Sequence, residues 1–238
     1  MKLPNLTRLS ALALIGLAAA VPAFAHHGKD FMLLETDDRP LPGSVYFVGS
    51  YDTVIDTDGQ KSEEYTAGVL FGIGDRLAVE PHVHYARSPQ TGLHYDAAAL
   101  GIRYAAGYLG RSEWRFALSG EVEKPNDGAE PTNGLARLIL VRNLPDTLVA
   151  ANILVGRTFD SAGAQTYGLQ IGALKPLAPK ASATIEVSTA FPLRDGVEIL
   201  PGYVYKLDSI TTAKAGIGYY TSNATKSGTL HVQLIRRF

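Results

Sequence analysis

The sequence predicts an all-β chain whose strands close into a membrane-spanning antiparallel barrel of about twelve strands, with ten as the alternative count. Three observations predict it. Strand-like stretches of about ten residues with alternating character recur along the chain, separated by Gly, Asp, Asn or Pro. The connections between them alternate between tight turns and longer, more polar loops. Each stretch has one oily face and one charged face, whereas no stretch after the first 25 residues has the run of roughly 20 apolar residues that a membrane helix needs.

Taken in order, the chain opens with Lys2 and Arg8 ahead of an apolar run through Val21, then Pro22 and the small-x-small box Ala23-Phe24-Ala25. That is the three-part pattern of a secretory signal, and it predicts cleavage after Ala25, so that residues 1–25 are a leader and His26 the first mature residue. An uncleaved anchor is the alternative, but the run is short for a membrane helix. Lys2 and Arg8 leave with the leader, so the mature chain is somewhat more acidic than the formal −1 of the whole. No clustered basic patch marks a nucleic-acid partner. Cysteine is absent, which excludes disulfides and thiolate metal sites.

Residues 26–42, containing "ETDDRPLPG", form a segment that either hangs outside the barrel or turns into its mouth; residues 43–238 are the barrel. The strands are expected at 44–54, 63–73, 76–87, 93–106, 112–123, 134–143, 147–158, 165–174, 182–192, 197–207, 210–220 and 228–238. Gly74-Asp75, "YLGRSE", Pro145-Asp146, "PLAPK" and Asp208-Ser209 supply the tight turns. "IDTDGQKS", "SPQTG", "EKPNDGAEPT", "DSAGAQ", "LRDG" and "TSNATKS" supply the loops. Such alternation is what a membrane barrel shows and a sandwich has no need of.

Face by face the pattern is consistent. Leu77, Val79, Pro81, Val83 and Tyr85 oppose Arg76, Glu80, His82 and His84; Trp114, Phe116, Leu118 and Val122 oppose Glu113, Arg115, Ser119, Glu121 and Glu123. Charged side chains are costly in a dry interior, so the oily faces belong against lipid and the charged faces in a wet lumen. Several of the 12 tyrosines fall near strand ends, where interfacial girdles sit. The last stretch, "LHVQLIRRF", runs to the final residue: Leu230, Val232, Leu234 and Arg236 share the register of Phe238, with Thr229, His231, Gln233 and Ile235 on the other face.

Leader, even strand number, turn–loop alternation and this terminal strand together resemble the Gram-negative outer-membrane β-barrels. The resemblance implies short periplasmic turns, longer extracellular loops, residence in the outer-membrane bilayer, and a terminal Phe238 read as an assembly signal by the barrel-assembly machinery. Arg236 departs from the apolar register and is tolerable at the periplasmic interface. The opening "HHGKDFMLLETDDRPLPG" also resembles the mature N-terminus, beginning His-His-Gly, of a group of exported barrels, which implies no activity.

The resemblance includes hydrolases, and those barrel lipases use a His and a Ser two apart on one strand face. Here the pairs are His82-Val-His84, His84-Tyr-Ala86, His94-Tyr-Asp96 and His231-Val-Gln233, none with the serine, so no enzyme is expected. Asp56-x-Asp58-Gly59 copies part of a calcium loop, but Val54 and Tyr65 stand where acids are required, and Asp58-Gly59 reads as a hairpin turn. No cofactor is expected, with copper, nickel or zinc as the alternative. His26 and His27 with the new terminal amine form one nitrogen ligand set; His82 and His84, sharing a strand face near Glu80, form another. Hydrogen bonding to lumen carboxylates is the competing role for the second pair.

The expected lumen lining is Glu64, Glu80, His82, His84, Arg103, Arg115, Glu121, Arg137, Arg157, Glu186, Glu198, Lys206, Lys214, His231 and Gln233. Both signs are mixed, and twelve strands lie between a side-chain-filled tube and an open porin. The reading is a narrow outer-membrane channel for small polar solutes. The alternatives are a metal-handling barrel using His26 and His27, and a structural or surface-interaction barrel with a blocked lumen.

Overall fold

The computed structural model describes residues 30–38, 40–160, 163–191, 196–222 and 225–238; the expected leader and the His26-His27 pair lie outside the described residues. Twelve strands follow one another: β1 (Val45–Asp56), β2 (Lys61–Ile73), β3 (Leu77–Ser88), β4 (Gly92–Tyr108), β5 (Arg115–Pro125), β6 (Asn133–Leu144), β7 (Thr147–Thr158), β8 (Gln165–Ala178), β9 (Ala181–Phe191), β10 (Gly196–Lys206), β11 (Thr211–Ser222) and β12 (Lys226–Arg237). Each pairs antiparallel with its neighbours in sequence, and β12 pairs with β1 from Tyr46↔Arg237 to Asp56↔Ser227, closing the barrel. Closure removes every sheet edge, which a chain in lipid requires because nothing there satisfies an unpaired backbone group.

The two ends of the barrel differ. At one, here the turn end, lie residues 74–76, 109–114, 145–146, 179–180 and 207–210 together with the start of β1 and the end of β12; the loop end carries the other connections. Local chemistry sets these reversals. At the loop end Asp56 Oδ1 accepts the N–H groups of Asp58 (2.9 Å) and Gln60 (2.8 Å), and Gly59 takes φ of 76°, which a side chain would resist. That carboxylate is committed to a turn, in keeping with the failed calcium pattern. At the turn end Asp208 accepts the N–H groups of Ile210 (2.8 Å) and Thr211 (2.7 Å). The bond from Ile210 is the main reason its carboxyl is held below the ordinary aspartate range.

Outward, the barrel is apolar: Leu100, Ile102, Leu118, Val122, Ile153, Ile171, Ile185 and Ile217 all stand exposed. Tyr85, Tyr167 and Tyr219 mark the loop end of this band and Tyr104, Tyr203 and Tyr205 the turn end. A protein whose exposed side chains form an apolar belt while Glu121, Glu186, Glu198, His82 and His84 are buried is built for a lipid surround. Arg236 lies on the outer face next to the turn end, in register with Phe47 and Thr211.

Candidate functional site

The lumen is occupied by the chain's own N-terminal segment. Residues 30–38 lie inside the barrel, having passed in at the turn end, where Gly43 N–H donates to the Gly72 carbonyl (2.9 Å) and Gly72 N–H to the Ser44 carbonyl (3.0 Å). A Cβ on Gly72 would collide with the Leu41 carbonyl, so this position must be glycine for the segment to turn inward. Asp37 then receives a two-pronged bond from Arg115, Nε at 2.7 Å and Nη2 at 3.2 Å. Glu35 is gripped by Arg137 at 2.5 Å, with Arg103 at 3.7 Å. Arg103, Ser119 and Arg137 form one register row across β4, β5 and β6, so the guanidiniums approach Glu35 from both sides of a small residue.

Main-chain groups are held as firmly. With its carboxamide oriented to suit, Asn152 accepts the Glu35 N–H (2.7 Å) and donates to the Glu35 carbonyl (3.0 Å). Glu186, fully buried, accepts three consecutive N–H groups, from Met32 (2.9 Å), Leu33 (2.7 Å) and Leu34 (3.1 Å). Lys214, also buried, donates to the Phe31 carbonyl. Between these polar clasps Phe31 and Leu34 pack on Ala117, Ile139, Val141, Ala150, Leu174 and Val204, an apolar patch on the inner wall. Inward glycines receive the segment: side chains at Gly202 or Gly216 would strike Met32, and one at Gly172 would crowd Phe31 and Leu34. Each fully buried apolar side chain adds about 1.5–3 kcal/mol.

Toward the loop end the lumen changes sign. Asp52, Glu64, Glu121, Glu123 and Glu198 face inward with His82, His84 and His231. Among the described residues no lysine or arginine shares the inward register of this half; Arg87 and Lys124, for instance, fall on the outer register. His231 bridges Asp52 (Nδ1, 2.5 Å) and Glu198 (Nε2, 3.2 Å). His84 Nδ1 lies 2.8 Å from Glu64 and its Nε2 3.7 Å from Glu123; His82 Nε2 lies 3.9 Å from Glu121. Where the two tiers meet, a cavity of about 30 Å³, room for one or two waters, is lined by Glu35, Glu80, His82, Arg103, Glu121 and Arg137.

Of the residues expected in the lumen, Glu64, Glu80, His82, His84, Arg103, Arg115, Glu121, Arg137, Glu186, Glu198, Lys214, His231 and Gln233 are on the inward register, sorted into a basic tier clasping the segment and an acidic tier above it. Arg157 is a correction: it pairs with Gly134 and Gln165 on the outer register and is exposed. It sits at the loop end, where charge on the lipid face costs little, and the apolar character of both faces of β7 concealed its direction. Lys206 has the inward register but is exposed at the turn-end rim. His94 and Asp96, at the other rim, stand 3.8 Å apart and well exposed. Asp52 and Asn152, and the segment's Phe31, Leu34, Glu35 and Asp37, escaped the sequence reading as site residues. The one signal for them is the inward run of apolar and glycine residues near the turn end, which a merely water-filled lumen has no use for.

A closed twelve-stranded barrel with an apolar belt and a charged lumen is the fold of the outer-membrane β-barrels, and solved structures of that class superpose on it. An outer-membrane channel from Pseudomonas putida F1 matches with a TM-score of 0.64 at 13% identity, covering 85% of this chain and 98% of the other. The KdgM porin in complex with disordered oligogalacturonate matches at 0.59 and 11%, over 81% and 99%. The NanC porin matches at 0.56 and 9%, over 82% and 100%. No protein-family model matches the sequence, and neither does any curated protein.

Proposed function

We propose that the chain is an outer-membrane channel for small polar solutes, kept shut by its own N-terminal segment, with its turn end in the periplasm. The observation that carries this is the division of the lumen. A wall built only to be filled would be lined throughout by side chains matched to one another. Here Arg103, Arg115 and Arg137 are instead matched to the N-terminal segment, and in the loop-end half carboxylates outnumber the histidines they pair with, leaving that half acidic. The similarity to solved outer-membrane channels supports the reading. Another neighbour, the KdgM porin, is in complex with disordered oligogalacturonate, a polyanion. The acidic tier here repels such a chain and favours positively charged solutes.

Planar-bilayer recording tests it. Refolded mature protein, first shown to be a barrel by its different migration heated and unheated, is expected to stay closed or open rarely. A form lacking residues 26–38 is expected to give steady, cation-preferring steps, as is full-length protein carrying Glu35→Gln and Asp37→Asn if the shortened form does not refold. A folded barrel that never conducts with its segment removed or uncoupled establishes the blocked, structural barrel instead.

A further inference from the structure

We propose that Lys61, Arg87, Lys124, Arg157 and Lys226 form a docking surface on the outside of the barrel, at its loop end, for a membrane lipid whose head group carries more than one phosphate. Strand parity places all five on the lipid-facing register. Lys61 continues the row of Tyr65, Ala67 and Phe71 on β2, and Arg87 that of Val79, Val83 and Tyr85 on β3. Lys124 continues Leu118 and Val122 on β5, Arg157 continues Ile153 and Val155 on β7, and Lys226 continues Leu230, Val232 and Leu234 on β12. Each stands at the loop end of its strand.

The cations keep to one side of the wall. Their strands lie on the arc that runs from β12 through β1 to β7. On the rest of the circumference, β8 to β11, the same register carries Gln165, Tyr167, Val197, Tyr219 and Thr221 at the loop end, and no charge among the described residues. Charge that served solubility alone would be spread around the rim and balanced in sign. Here the carboxylate on this register, among the described residues, is Glu63; Asp96, in the bulge of β4, faces His94 at 3.8 Å.

Glu63 does not use up its cations. It accepts from Tyr51 Oη at 2.8 Å and pairs with both Lys61 and Arg87, the latter at 3.5 Å. Its side chain is 11% exposed, against 47% for Lys61 and 50% for Arg87, so it gathers two cations and leaves both open to a second anion. Lys124, Arg157 and Lys226 are exposed and have no carboxylate within ion-pair distance among the described residues.

What lies next to the cations selects the occupant. Ile55, Leu93, Val122 and Val155 stand exposed in or just inside the same rows, so a ligand held by its anionic head meets apolar wall immediately toward the membrane. Free phosphate has no use for that wall; acyl chains do. Guanidinium and ammonium groups both bind phosphate, the first as a fork and the second as a point charge. Cations two strands apart, as Lys226 is from Lys61 and Lys124 from Arg157, are spaced about 10 Å along the wall. A head group with two phosphates spans such a step, and one with a single phosphate does not.

The experiment is calorimetric titration of the refolded mature chain, in neutral detergent, with diphosphoryl lipid A; phosphatidylglycerol and inorganic phosphate are the single-phosphate probes. Saturable binding of diphosphoryl lipid A is expected, at least tenfold tighter than phosphatidylglycerol and not displaced by equimolar inorganic phosphate. Lys124→Gln/Arg157→Gln/Lys226→Gln should lower the affinity on the order of 100-fold, at roughly fivefold for each cation. If that variant does not refold, Arg157→Gln/Lys226→Gln should read about 25-fold. Lys175→Gln/Lys206→Gln/Arg236→Gln removes three exposed cations from the turn end instead, and is expected to bind as the parent does. Absence of binding, equal binding by the loop-end variant, an equal loss in the turn-end variant, or equal binding of phosphatidylglycerol overturns the surface, as does displacement by inorganic phosphate. The surface lies outside the lumen, so the result is independent of whether the barrel conducts.

Discussion

Glu186 shows how much one side chain decides here. Its carboxylate accepts three successive amides of the N-terminal segment at 2.7–3.1 Å, and it is fully buried. Glutamine in its place keeps the size but offers one accepting oxygen, and turns an NH₂ group toward amides that also donate. A buried donor left unmet costs about 1–3 kcal/mol. Glu186→Gln is therefore expected to release the segment roughly 10–100-fold more often, since about 1.4 kcal/mol corresponds to a factor of ten. Hydrogen exchange at the amides of residues 32–34 measures this directly; exchange unchanged from the parent protein would mean that the apolar contacts of Phe31 and Leu34 hold the segment by themselves.

At the scale of elements, the strands were readable and the segment was not, for one physical reason. A pleated strand between lipid and lumen must alternate every two residues, and its ends must carry turn residues, so β3 with Leu77, Val79 and Val83 opposing Glu80, His82 and His84 declares itself. Arg157 misled because β7 is apolar on both faces, and a strand without contrast gives no direction. Residues 30–38 obey no period at all: they are irregular chain whose polar groups are met by side chains brought from β5, β6, β7, β9 and β11, distant in sequence. Gly72 is the place where wall and segment depend on each other. Valine there suits a strand, so Gly72→Val is expected to leave the barrel intact and heat-modifiable while its Cβ displaces Leu41 and drives the segment out. Bilayer recordings should then resemble those of the form lacking residues 26–38. A closed Gly72→Val barrel would show that the segment seats itself without this turn.

The whole molecule is inverted relative to a soluble domain, with isoleucine and leucine outside and charge within, and Phe238 belongs to that outer apolar surface. Phe238 is 77% exposed on the outside of the barrel, and its N–H donates to the Val45 carbonyl where β12 meets β1. Replacing the ring by a methyl leaves that backbone bond and buries or uncovers nothing in the lumen, so barrel stability in detergent should change by about 0.5 kcal/mol or less, the range of an exposed substitution. We propose that a side chain of such size, exposed beside the closing strand, serves recognition during assembly rather than the finished fold. Phe238→Ala is accordingly expected to refold in vitro to the same heat-modifiable species and the same unfolding midpoint, yet to give several-fold less folded barrel in the outer membrane of cells producing it. If membrane yield and refolded stability fall together, Phe238 acts by closing the barrel; if neither changes, the closing strand is recognised through Leu230, Val232 and Leu234.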